Sequence, residues 1–245
     1  MLAIDCAENY GPQAERLKAL GVDAVIRYFN PLSDGRDSGK SLTAEEARQY
    51  AAAGLQVGIV VEGYGLSNGT GVDGPSGTRD ATEVLAWLPT VGMPLSPELT
   101  VWFAVDTDAT AAQINNNEVN YFDAINRVFS TLSADRRPVV GIYGSGWSCL
   151  SMNGTRRAAK TWVAGSKGWA LVNGKMVLGT KLWSDYSVYV ASGAWTLLQH
   201  IWPDEKWEGF NADTNTVNET HGSPGFVFPF LPTDVPPMAQ PQNPA

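Results

Sequence analysis

Sulfur and imidazole are scarce in this chain. Its 245 residues hold two cysteines, Cys6 and Cys149, and two histidines, His200 and His221. Two thiols cannot staple a scaffold, and these four residues match no zinc-site spacing. Both cysteines are expected reduced, and no metal or cofactor is expected. Basic residues are also few: 17 Lys and Arg stand against 25 Asp and Glu, a net charge of −8. Such a surface does not neutralise a phosphate backbone, which excludes a nucleic-acid partner. It also argues against simple attraction to an anionic membrane or wall. A run of about 18 apolar residues is missing, so no membrane span is expected. Met1 to Asp5 carries no basic n-region and opens no long apolar run, so no signal peptide is expected. The Gly-rich stretch 63–77 lacks G-x-x-x-x-G-K-[ST] and is read as a rim loop, not a phosphate cradle.

What is present suits one sizeable domain. An α/β barrel takes about 250 residues. The stretch Val101 to Val105 is apolar throughout, as a strand buried on both faces should be, and it stops in Asp106-Thr107-Asp108. Other strand candidates are Leu2–Asp5, Val22–Tyr28, Gln56–Val61, Val139–Tyr143, Thr161–Ala164, Trp195–His200 and Phe210–Asn215. Between the early ones lie helical segments. Thr43 to Glu46 reads as a capping box, and Val119, Phe122, Ile125 and Phe129 form a core stripe at helical spacing. The region 166–192 has no clear pattern. Strand and helix alternate over about two-thirds of the chain, which calls for a parallel sheet.

The acids favour a closed barrel. Asp5, Glu62, Asp106, Asp108 and Asp213 are each expected at a strand's C-terminal end. In a barrel those ends converge on one mouth, where catalytic residues sit. The spacing of Asp106 and Asp108 predicts two carboxylates on one face. Nine Trp exceed what a core needs, and aromatic faces often stack on sugars. The domain is read as a single TIM-like (β/α) barrel over 1–221, irregular in its last third. A Pro-rich tail without regular structure follows over 222–245, with Met238 onward free to move.

The chain resembles the family-25 glycoside hydrolases, the lysozyme-like muramidases. It is more similar to their relatives described as a glycoside-hydrolase-like domain of unknown function. The resemblance runs from about Ala3 to Val217. It rests on Ile4-Asp5, Ala24 to Tyr28, Leu42 to Glu46 leading to Ala53-Gly54-Leu55, Trp102 to Asp108, Gly141 to Gly146, and Gln199-His200 followed by Asp213-Thr214-Asn215. It implies a β/α barrel with an acidic groove that cleaves the glycan of peptidoglycan. The family's fourth strand ends in Asp-x-Glu, with the Glu as general acid. Here Asp108 stands at that place, one methylene shorter, and Glu62 competes for the acid role. Asp5 and Asp213 match the family's first- and last-strand acids. Arg27, Tyr28, Tyr143, Trp147 and Gln199 are expected to line the mouth. Blander readings also exist: Asp5 could pair with Arg27, and Asp213 could serve a turn.

The resulting expectation is a monomeric peptidoglycan hydrolase, acting on the bacterial wall as a phage lysin or an exported antibacterial effector. The alternative is a non-catalytic barrel that binds glycan or serves envelope biogenesis. A third option is a metal-dependent hydrolase, since carboxylate clusters also bind Ca²⁺ or Mg²⁺.

Overall fold

The computed structural model describes residues 1–30, 39–63, 72–166, 169–172, 175–178, 182–200 and 206–230. Most of the loop expected over 30–41, the glycine-rich part of 63–77, and the tail from 231 lie outside the described residues.

Eight strands close into a barrel. They are β1 (Leu2–Asp5), β2 (Ala24–Phe29), β3 (Gln56–Val61), β4 (Thr100–Ala104), β5 (Val139–Gly144), β6 (Lys160–Val163), β9 (Leu197–His200) and β10 (Asp213–Val217). Their order around the ring is β1-β10-β9-β6-β5-β4-β3-β2. The helices are α1 (Ala14–Ala19), α2 (Ala44–Ala52), α3 (Gly74–Trp87), α4 (Ala111–Gln113), α5 (Val119–Phe129), α6 (Gly146–Gly154) and α7 (Tyr186–Ser192). A π-helical turn over Ile114–Glu118 joins α4 to α5. The patternless stretch contains an antiparallel hairpin, β7 (Trp169–Val172) with β8 (Lys175–Leu178), followed by α7. No described helix is long and apolar enough to cross a membrane.

Apolar side chains form two layers. The larger lies between strands and helices, where Phe103 packs edge-on against Tyr121, Phe122 and Phe129 of α5. The smaller fills the barrel and includes Ala3, Ala24, Ile26, Val60, Trp102, Trp162 and Phe226. Two indoles fit there because small residues face them. A Cβ on Gly141 would lie 2.6 Å from Trp102, and one on Gly58 would lie 2.7 Å from Phe226. Much of the tryptophan excess therefore goes to packing: Trp102 and Trp162 meet edge-on, and Trp87 leans on Phe29.

Three expectations need correction. First, β10 runs antiparallel to both β1 and β9. The connection from β9 to β10 has no assigned helix or strand of its own among the described residues. A short link without a crossover helix joins antiparallel neighbours. Second, the tail does not begin at 222. Gly225 accepts a hydrogen bond from the Thr100 amide, Val227 bridges Val57, and Phe226 plugs the barrel floor at 4% exposure. Third, Thr43 does cap α2 by accepting from the Glu46 amide, but the Glu46 side chain does not return to it. It goes to Arg27 and Tyr50 instead. A full capping box occurs instead at Thr110 and Gln113, at the start of α4.

Both cysteines are free and buried. Burial pushes the Cys6 thiol up to about 12, so it stays protonated. Adding reductant is expected to move the melting temperature by less than about 1 °C, since no bridge constrains the unfolded chain. A drop of several degrees in differential scanning calorimetry would contradict this.

Candidate active site

The C-terminal ends of the parallel strands form a mouth with a cavity of about 160 Å³. Asp5, Tyr28, Glu62, Asp106, Tyr143, Trp162, Gln199 and Asp213 line it above Val60 and Ala104. Period-two alternation supplies most of these. On β2, Ile26 and Tyr28 point inward while Val25, Arg27 and Phe29 point to the helices. Asp213 opens its strand, yet it reaches the same mouth as Asp5, which ends β1. Because β10 is reversed, the two are cross-strand partners.

The acids fall into two groups. Asp5 and Asp213 share a hydrogen-bonded network. The Gln199 side-chain amide donates to both Asp5 oxygens at 3.2 and 3.3 Å and to Asp213 Oδ2 at 3.3 Å. Its own oxygen accepts from the Tyr143 hydroxyl at 2.9 Å. Asn215 donates to Asp5 Oδ2 at 2.8 Å and accepts from the Trp162 indole at 2.7 Å. Burial and the neighbouring Asp213 charge raise Asp5 to about 7, against the opposing pull of Asn215 and Gln199.

The second group is Glu62 and Asp106, from the neighbouring strands β3 and β4. Glu62 accepts from the Asn30 side chain and forms a 3.0 Å ion pair with Lys40. The Lys40 ammonium also lies 5.5 Å from the Tyr28 ring centre. Asp106 is half-buried just beyond the end of β4. Burial first, then the charge of Glu62, raise its carboxyl to about 6, while Lys40 opposes. One side of the cleft thus carries an anion beside a cation, and next to it a carboxyl that keeps its proton into the mildly acidic range.

A sequence model of the Rv2525c-like, glycoside hydrolase-like domain family matches residues 15–226. The chain belongs to that family. Its fold is shared with the Mycobacterium tuberculosis Tat-secreted protein Rv2525c, at 19% identity and a TM-score of 0.62 over 88% of this chain and 94% of that one. An uncharacterized B. stearothermophilus protein superposes with a TM-score of 0.58 at 12% identity, covering 91% of this chain and 98% of that one. A family 25 glycosyl hydrolase from Bacillus anthracis does so with a TM-score of 0.50 at 10% identity, over 90% and 92%. No curated protein matches the sequence.

In this Rv2525c-like barrel, three residues expected at the site lie elsewhere. Asp108 is exposed, and its carboxylate accepts from the Ser184 amide at 2.8 Å and the Ser184 hydroxyl at 3.2 Å. Strand β4 ends at Ala104, so the alternation that would align Asp106 with Asp108 has already lapsed. Arg27 is fully buried behind the barrel wall, paired with Glu46 at 2.6 Å and also donating to the Cys6 carbonyl. It therefore does not pair with Asp5. Trp147 packs on the outer apolar layer, and its amide donates to the Ser184 carbonyl.

Four residues of the site were not singled out from sequence: Asn30, Lys40, Trp162 and Asn215. Asn215 had a signal, since it lies two residues beyond Asp213 and so shares its face. Trp162 had one too, as an inward position on a short strand. Lys40 stands outside regular structure, and no periodicity marks it.

Proposed function

We propose that this barrel hydrolyses a β-1,4-linked amino-sugar glycan, with peptidoglycan as the substrate. The observation that carries the reading is the pairing of Asp106 with Glu62 inside one cavity. Glycoside hydrolysis needs one protonated carboxyl and one ionised carboxylate flanking the bond. Asp106, raised by burial, gives its proton to the bridging oxygen as the C–O bond breaks. Glu62, paired with Lys40, presents negative charge to the oxocarbenium ion that develops. Gln199 and Asn215 hold Asp5 and Asp213 on the far wall, and Tyr28 and Tyr143 line the space for the sugar. The family description and the fold shared with a family 25 glycosyl hydrolase support the substrate class. Action outside the cytoplasm, as a lysin or an exported effector, goes with this reading, as Rv2525c is described as Tat-secreted.

The test is mass analysis of purified peptidoglycan after incubation with the protein. New reducing ends are expected. New amines would indicate an amidase or peptidase. Intact glycan that stays bound to the protein would indicate a glycan-binding barrel. That second reading draws on one feature: β4 delivers a single carboxylate to the cavity, because Asp108 is held at the rim.

The position of Asp108 separates two choices of acid. Asp108→Asn is expected to keep turnover within about threefold, the scale of an exposed polar change of roughly 0.5 kcal/mol. A loss of a hundredfold or more, measured on the same glycan, would return the acid role to Asp108.

A further inference from the structure

Within the reading of the cleft as a glycosidase site, we propose that Lys40 is the positioning residue that divides the work between Glu62 and Asp106. It holds Glu62 as the anion and leaves the proton on Asp106. Two carboxyls on adjacent strands compete for one proton, and without an asymmetry they titrate as a shared pair. Among the described residues, the side-chain donors that reach this pair, Lys40 and Asn30, both address Glu62. Lys40 Nζ stands 3.0 Å from its Oε2, and Asn30 Nδ2 bonds the same oxygen. The ammonium is also set over the Tyr28 ring at 5.5 Å, so two contacts from different strands locate it. Glu62 is the less exposed partner, at 18% against 41% for Lys40, so solvent screens the pair only in part.

Burial gives Asp106 its hold on the proton, and Lys40 is the charge that sets Glu62 apart from it. Glu62 faces it from β3, Tyr28 from β2 and Tyr143 from β5, with Asp5 on β1 and Asp213 on β10 across the cavity. The two tyrosines stay neutral, since burial holds both well above their ordinary value. Asp5 and Asp213 bond to Gln199, and Asp5 also to Asn215. Among the described residues lining the cavity or bonded to its acids, Lys40 is the one cation.

The experiment is a ¹³C NMR titration of the Asp106 and Glu62 carboxyl resonances in the wild type, Lys40→Met and Lys40→Arg. In Lys40→Met both midpoints are expected at higher pH, that of Glu62 by more, so that the interval between the two narrows by about one pH unit, because a cation most favours the ionised form of the carboxylate it touches. Lys40→Arg, which keeps the charge, is expected to restore the wild-type midpoints. An unchanged interval between the Glu62 and Asp106 midpoints in Lys40→Met overturns the proposal. So does a Lys40→Arg titration that matches Lys40→Met, since packing on Tyr28 would then be what matters. On a glycan that the wild type cleaves, both limbs of the kcat/KM profile should move to higher pH in Lys40→Met. If the wild type cleaves none, the hydrolase reading fails, while the titration still decides the part played by Lys40.

Discussion

Asp106→Asn is expected to lower turnover on peptidoglycan by at least about a hundredfold, the usual contribution of a positioned acid. The amide keeps the shape of the side chain and cannot release a proton at working pH. The same substitution should stabilise the fold. The folded state raises Asp106 from an ordinary 3.8 to about 6, so it binds that proton more tightly than the unfolded chain does. The stability this contributes is fully present below about pH 4 and lost as pH rises through about 6. At pH 8 the wild type keeps a buried anion beside Glu62, which Asp106→Asn removes. A melting temperature higher by about 2–8 °C at pH 8 follows from roughly 1–2 kcal/mol in a chain of this size, with little gain at pH 4. Activity loss together with a pH-dependent gain in stability is the signature of an acid held against its own stability. Loss of activity with an equal loss of stability at both pH values would indicate a packing role instead.

Arg27→Met is expected to destabilise the protein by about 3–5 kcal/mol, or roughly 6–20 °C in melting temperature. Arg27 and Glu46 both have no side-chain exposure, and Glu46 also accepts from the Tyr50 hydroxyl at 2.8 Å. Removing the guanidinium leaves Glu46 as an uncompensated buried acid and the Cys6 carbonyl without its donor. The double variant Arg27→Met/Glu46→Leu should recover most of the loss, because replacing both charges by apolar groups is often near neutral. Turnover per folded molecule should stay close to wild type, since Arg27 faces the helices. A large fall in kcat at full stability would move Arg27 back to the mouth.

Much of the barrel was legible because its strands are short apolar runs, each bounded by turn residues. The direction of β10 was not, since local pattern carries no direction. The signal lay in the connection before it, whose twelve residues 201–212 are at the lower limit for a helical crossover and are interrupted by Pro203 and Gly209. Alternation placed Tyr28 in the cavity, and the same rule applied to its neighbour would have turned Arg27 outward. Asp108 misled for the opposite reason: the rule was extended past Ala104, where the strand had ended. Lys40 and Asn30 reach Glu62 through tertiary approach alone, which no single-sequence periodicity encodes.

The Phe226 floor and the pairing of Leu2 with Thr216 also bear on how the protein is made. Strand β1 leaves the ribosome long before its partner β10, which lies more than 200 residues further along the chain. Until residues 213–230 emerge, β1 and β9 each present an unpaired edge, the state in which strands of different molecules join. Closure over so long a separation is slow by topology. Production in a heterologous host should therefore respond more to slowed translation and chaperone supply than to surface substitutions. A fragment cut at residue 221 would lack the floor altogether.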